Sequence, residues 1–144
     1  MPDSETIKKA HRDRAEGKSA STQAGEFVRQ EMHHIREGKH GARSTKQAIA
    51  IGLSEARRAG VKLAPPRNGS AKTRHQAASA RAARRHARPS KTRSRATLSA
   101  LKREGHSAAT HSALSKQARS AARVRGPSAR SRAARKAAHT RQRR

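Results

Sequence analysis

Apolar and polar positions follow a helical period over the front of the chain and lose it behind Pro66. The clearest stretch runs from Gly38 to Leu63. At about 100° per residue, Ala48, Ile49, Gly52, Leu53, Ala56 and Ala59 share one face, while Lys46, Gln47, Ser54, Arg57 and Arg58 take the other. Ser44 with Gln47 three residues on is a start signal, because the two side chains can satisfy orphan N–H groups of the first turn. Gly60 is the stop, able to adopt the left-handed conformation, with Val61 placed to fold back on the last turn. Ile51 sits among the polar residues. It is either a contact for a second helix or another copy, or a singly exposed side chain, and Gly52 beside it would let a neighbouring backbone come close.

Two further helices precede this one. Ser21 or Thr22 can cap a helix reaching about Glu37, ended by Gly38, with Ala24, Phe27, Val28, Met32 and Ile35 forming its apolar arc. Glu31 falls inside that arc. Burying it unpaired is too costly, so it is expected to escape to the surface or else to pair with Arg57 or Lys46 across a helix interface. A thinner helix runs from about Glu5 to Glu16, capped by Ser4 or Asp3 and stopped by Gly17, with Ile7 as its single large apolar residue.

Leu63-Ala64-Pro65-Pro66-Arg67-Asn68-Gly69 is the plainest boundary, since paired prolines stop a helix and Asn-Gly marks a turn. It divides a head, residues 1–66, from an Ala/Arg-rich low-complexity tail, residues 67–144. Pro89, Gly105 and Gly126-Pro127 cut the tail into blocks of about 70–88, 90–104, 107–125 and 128–144. Alanine and arginine favour helix, yet beyond Leu98, Leu101, Leu114 and Val124 the blocks have nothing large to bury. The expected fold is all-α: a head of two or three short helices, then a largely disordered, partly helical basic tail. With so few large apolar side chains, the head is expected to gain from dimerising or from binding DNA.

The residues Gly17, Lys18, Ser19, Ser21 to Val28, Arg36 to Ser54 and Ala56 to Leu63 carry a resemblance. Over about residues 5–66 the chain is similar to a family of small basic bacterial proteins catalogued as a domain of unknown function and often described only as DNA-binding. The tail resembles that of linker histones. The resemblance implies nucleic-acid binding and brings no catalytic residue set with it.

Charge separates the two parts more sharply than apolar pattern does. Residues 1–66 hold 13 Lys/Arg and 8 Asp/Glu, a net of +5, whereas residues 67–144 hold 23 and 1, a net of +22. Such a polycation repels itself when compact and calls for counter-charge, which in a cell mostly means nucleic acid. The absence of Cys removes disulfides, thiolate chemistry and the usual structural zinc sites. No apolar run approaches the ~20 residues a membrane span needs, and no secretory signal is visible. A cytoplasmic, nucleoid location is therefore expected.

In the tail, Arg81, Arg84, Arg85 and Arg88 follow i, i+3, i+4, i+7, as do Arg132, Arg135, Lys136, His139 and Arg143 over a longer run; Lys116, Arg119 and Arg123 make a shorter set. On a helix each set becomes a cationic stripe, whose like-charge cost of ~0.2–0.5 kcal/mol per pair phosphates would relieve. In the head, Lys39, Arg43 and Lys46 surround the N-terminus of the third helix, where free N–H groups and the dipole suit a phosphate. Arg57 and Arg58 add to the basic rim. With one Phe and no Trp or Tyr there are no stacking platforms for single strands, so double-stranded DNA bound through its backbone is the expected partner. The alternative is ribosomal or otherwise structured RNA; an anionic membrane is disfavoured because alanine, not Leu or Trp, lies opposite the cations. His33, His34, Glu37 and His40 superficially resemble metal ligands, but the apolar arc turns away from His33. Neither metal nor cofactor is expected, and without a nucleophile motif the chain reads as a non-enzyme.

Overall fold

The computed structural model describes residues 3–66, 69–82 and 90–142. Its regular elements among those residues are all helical: α1 (Ser4–Ala15), α2 (Ala20–Arg36), α3 (Thr45–Arg58), α4 (Ala71–Ala82), α5 (Lys91–Lys102), a 3-10 turn (Ser107–Ala109) and α6 (His111–Gln142). The chain forms two compact units, residues 1–109 and residues 110–144. Among the described residues no helix is long and apolar enough to cross a membrane.

The first three helices end in the same way. Gly17, Gly38 and Gly60 have φ of 71°, 72° and 99°. After each glycine the next N–H reaches back to the helix: Lys18 to Asp13 O (2.9 Å), Lys39 to His34 O (3.0 Å) and Val61 to Ala56 O (3.0 Å). The glycine's own N–H bonds the carbonyl three residues back, as in Gly60 to Arg57 O at 3.1 Å. These paired bonds satisfy the orphan carbonyls of each last turn. The starts are equally local. Ser44 Oγ accepts from the Gln47 N–H at 3.2 Å, while Gln47 Oε1 takes the Arg43 N–H at 2.9 Å, one residue before the position a reciprocal box would use. The cap of α2 is Ser19, whose Oγ accepts from the Thr22 N–H at 3.3 Å, rather than Ser21 or Thr22. Those two residues lie in the first turn.

Packing in the first unit centres on Phe27 and Ile35, both fully buried on α2. Ala10, Ala24, Ala56 and Val61 close around Phe27, with Ile7, Leu53 and Leu63 at the edge. Small residues let the helices approach. A Cβ on Gly52 of α3 would lie 2.8 Å from Val28 Cα and 3.1 Å from Phe27 O, so the two backbones are in contact there. Asp13, buried at the end of α1, meets Lys18 Nζ at 2.7 Å, and Gln23 Nε2 donates to Lys18 O at 2.8 Å, tying α1 to α2.

The tail departs from the expectation of a largely disordered chain. Its described residues are helical, and α4 packs on α3 with Ala77 and Ala80 buried. The physical reason is that alanine needs no deep core: it has the highest helix propensity and lets a second backbone approach closely. α3 thus receives a further helix, with Ile51 half-buried. The α6 helix contains Gly126 at φ 75° and ψ 169°, followed by Pro127, so it is two helical arms joined at a kink. Pro127 opens the second arm, where its missing N–H costs nothing.

Two glycines within helices separate close packing from propensity. Gly52→Ala should destabilise the protein by about 1–3 kcal/mol through the Val28 backbone. Gly25→Ala, on α2 with nothing within 4 Å of the point its new methyl would occupy, should gain roughly 0.5–1 kcal/mol. Urea denaturation of both variants checks this; equal effects would contradict the packing at Gly52.

Candidate nucleic-acid interface

The cations of the first unit serve several masters. Arg43, Lys46 and Arg58 are exposed. Lys39 is exposed too, and its Nζ lies 3.0 Å from Glu37 Oε2; the resulting hydrogen bond and charge hold the Glu37 carboxyl below its usual range. Arg57 corrects the expectation of a basic rim. It is only 8% exposed, and its guanidinium donates to Leu53 O (3.4 Å) and Ala64 O (3.3 Å), fastening the 61–64 segment to α3. Desolvation lowers its pKa. A long side chain that starts on the polar face has folded back onto backbone, so Arg57 is not presented to a phosphate.

The loop before α3, readable as a phosphate site or as a solvated turn, is bonded to a later segment of the same chain. The Gly41 N–H donates to Leu101 O (2.9 Å) and the Ala42 N–H to Gly105 O (3.0 Å). Thr45 Oγ1 donates to Ala108 O (2.7 Å), and Arg36 Nε to Ala109 O (2.9 Å). Ala42, Ala108 and Ala109 are buried. Gly41 is required because a Cβ there would strike Glu104 O and approach Gly105 O to 2.6 Å. The carbonyls of Leu101, at the end of α5, and of Gly105 therefore hold the N–H groups of Gly41 and Ala42, while those of Ala108 and Ala109 take side-chain donors from Thr45 and Arg36.

The second unit keeps its cations outward. Lys116, Arg119 and Arg123 on the first arm of α6, and Arg132, Arg135, Lys136 and His139 on the second, are exposed on continuous helix. Nine Lys/Arg and no Asp/Glu occur between His111 and Gln142. Arg81 lies in the last turn of α4. Arg84, Arg85, Arg88 and Arg143 lie outside the described residues.

Of the residues that superficially resemble metal ligands, His34 and His40 come together, with Glu31 in place of His33 and Glu37. Glu31 neither escapes to the surface nor meets Arg57 or Lys46: it is 1% exposed, and its Oε2 lies 3.6 Å from His40 Nε2. Burial pushes its carboxyl up to about 7, against the opposing pull of His40 and with the repulsion of Glu55. One ligand atom each from Glu31, His34 and His40 lie within 4.8 Å of one another. His33 and Glu37 stand apart from this group, exposed and 3.8 Å from each other. The signal that could have found the cluster is Glu31-x-x-His34, which puts both side chains on one face of α2.

Residues 4–68 match a family of unknown function (DUF6496). No curated protein and no solved structure matches the chain.

If carbonyls of the 101–109 segment hold the loop in this way, Gly41→Ala should displace that segment. Amide exchange at Ala42 should then accelerate about tenfold or more, the worth of one or two hydrogen bonds, while Ala48 and Val61 keep their protection. Hydrogen exchange by NMR reads this, and an unchanged Ala42 rate would contradict the contact.

Proposed function

We propose that the protein is a non-catalytic, nucleoid-associated DNA-binding protein that engages the phosphate backbone of duplex DNA without reading its sequence. The observation that carries this reading is α6, a helix with exposed Lys/Arg side chains at helical spacing and no acid along its length. Each arm, of about fifteen residues, is roughly 20–25 Å long. A duplex presents about 12–15 phosphates over that distance, so a stripe of cations on either arm has several in reach. Binding releases condensed counterions, and this supplies affinity that is independent of base sequence.

The head, residues 1–66, supplies orientation and the tail supplies affinity. Lys39, Arg43, Lys46 and Arg58 are exposed around α3, whereas Arg57 is committed to the fold. A homodimer through the head would place two α6 helices in one assembly and bridge neighbouring duplexes.

If about eight phosphates are engaged, log K should fall with log salt at a slope near −7. Substituting glutamine for Lys116, Arg119, Arg123, Arg132, Arg135 and Lys136 in the full chain should flatten that slope to about −2. Fluorescence anisotropy with duplexes of unrelated sequence, titrated across salt, measures both. A substituted protein with the parent's slope would remove α6 from the interface. Displacement of the duplex by a small fraction of its phosphate as ribosomal RNA would move the assignment to RNA.

A further inference from the structure

The geometry points to a binding site for one divalent transition-metal ion of the zinc type, held by Glu31, His34 and His40. Glu31 and His34 are three residues apart on α2 and so project from one face. His40 comes from the loop beyond Gly38, and each of the three offers a ligand atom within 4.8 Å of the other two. The 3.6 Å between His40 Nε2 and Glu31 Oε2 is at the upper end of the edge of about 3.3–3.6 Å that tetrahedral zinc with bonds of about 2.0–2.2 Å requires. Small side-chain rotations bring the third ligand in.

The surroundings are those of a ligand set more than of a chance meeting of side chains. Glu31 is almost wholly buried, and its Oε1 has no hydrogen-bond partner among the described residues. A carboxylate oxygen left bare at that depth is costly, and a cation is what would satisfy it. The His40 imidazole is oriented through its other nitrogen: Nδ1 is 3.2 Å from Gly41 O, leaving Nε2 toward Glu31; Asp3 Oδ2 lies 3.4 Å from His34 Nε2. Supporting contacts of this kind fix ring orientation at metal centres. Two imidazoles and one carboxylate select zinc-like ions over calcium and magnesium, which take oxygen. Three protein ligands leave a fourth position for water.

Its consequence is mechanical. His40 is joined to Gly41, whose N–H holds Leu101 O, so an ion bridging α2 to His40 pins the loop on which the 101–109 segment sits. This does not rest on DNA binding and fails or survives separately from it.

The test uses the full chain, stripped with chelator and titrated with Co2+ as a spectroscopic stand-in for zinc, with Zn2+ competition as a second arm. The expected result is saturation at one ion per chain with the visible absorption of tetrahedral Co2+, reversed by Zn2+. Glu31→Gln and His40→Ala should each weaken uptake by at least about 100-fold, beyond the roughly 10–100-fold typical of losing an outer contact. His33→Ala, an exposed histidine on the same helix, should change it less than twofold. Far-UV circular dichroism confirms that each variant folds, and His40→Ala, altering a loop residue, stands should Glu31→Gln unfold. Absence of saturable uptake by the parent protein overturns the assignment, as does uptake that Glu31→Gln and His40→Ala leave within twofold or that His33→Ala abolishes.

Discussion

The first unit depends on how closely α3 can lie against α2. With one phenylalanine and no Trp or Tyr, the fold cannot fill a wide interface, so it narrows the interface instead. Gly52 rests against the Val28 backbone, and Ala24, Ala48 and Ala56 are buried with almost no exposed area. Close backbones convert small side chains into dense packing, because dispersion depends on the number of atoms at contact distance and not on the size of any one residue. Phe27 and Ile35 can then be sealed by neighbours that are mostly alanine and valine. The same arithmetic extends to α4, whose Ala77 and Ala80 are buried although it carries no large apolar residue.

A second kind of adhesion holds the 101–109 segment. Its contacts with the head are mainly hydrogen bonds from Arg36, Gly41, Ala42 and Thr45 to main-chain carbonyls. Bonds to backbone demand position and little of side-chain identity, and they permit a low-complexity segment to dock specifically. In the folded unit the carbonyls of Leu101 and Gly105 hold the N–H groups of Gly41 and Ala42.

How much of this could be read from the residues follows from the range of each interaction. The helix ends were legible: Ser44, Gly17, Gly38 and Gly60 act through bonds spanning a few residues, and the structure uses them as their chemistry suggests. The close approach at Gly52 was legible too, since a glycine on an apolar face has few other uses. Glu31 and Arg57 were not. On a helical wheel a carboxylate within an apolar arc and an arginine on a polar face have positions but no destinations. Glu31 stays inside because His34 and His40 line its surroundings, and Arg57 turns inward because Ala64 returns alongside α3. The docking of Thr45 on Ala108 joins residues far apart in sequence, and nothing in an Ala/Arg/Ser composition marks which carbonyl will be chosen. That is also why disorder was the expectation for a tail whose described residues are helical.

Charge is partitioned along the same line as adhesion. In the first unit acids and cations are local partners: Lys9 with Glu5, Lys18 with Asp13 and Glu16, Arg29 with Glu26, Lys39 with Glu37. Most of these pairs are at least partly exposed and add little stability, and residues 1–109 still hold 25 Lys/Arg against 9 Asp/Glu. Residues 110–144 contain no Asp or Glu, so their cations have no carboxylate side chain in the same unit to meet. Alanine keeps α6 helical while like charges one turn apart oppose it. A polyanion bound along α6 would change the sign of that second term without touching the first, so such a ligand would strengthen the helix that holds it, and salt that screens phosphate would weaken both.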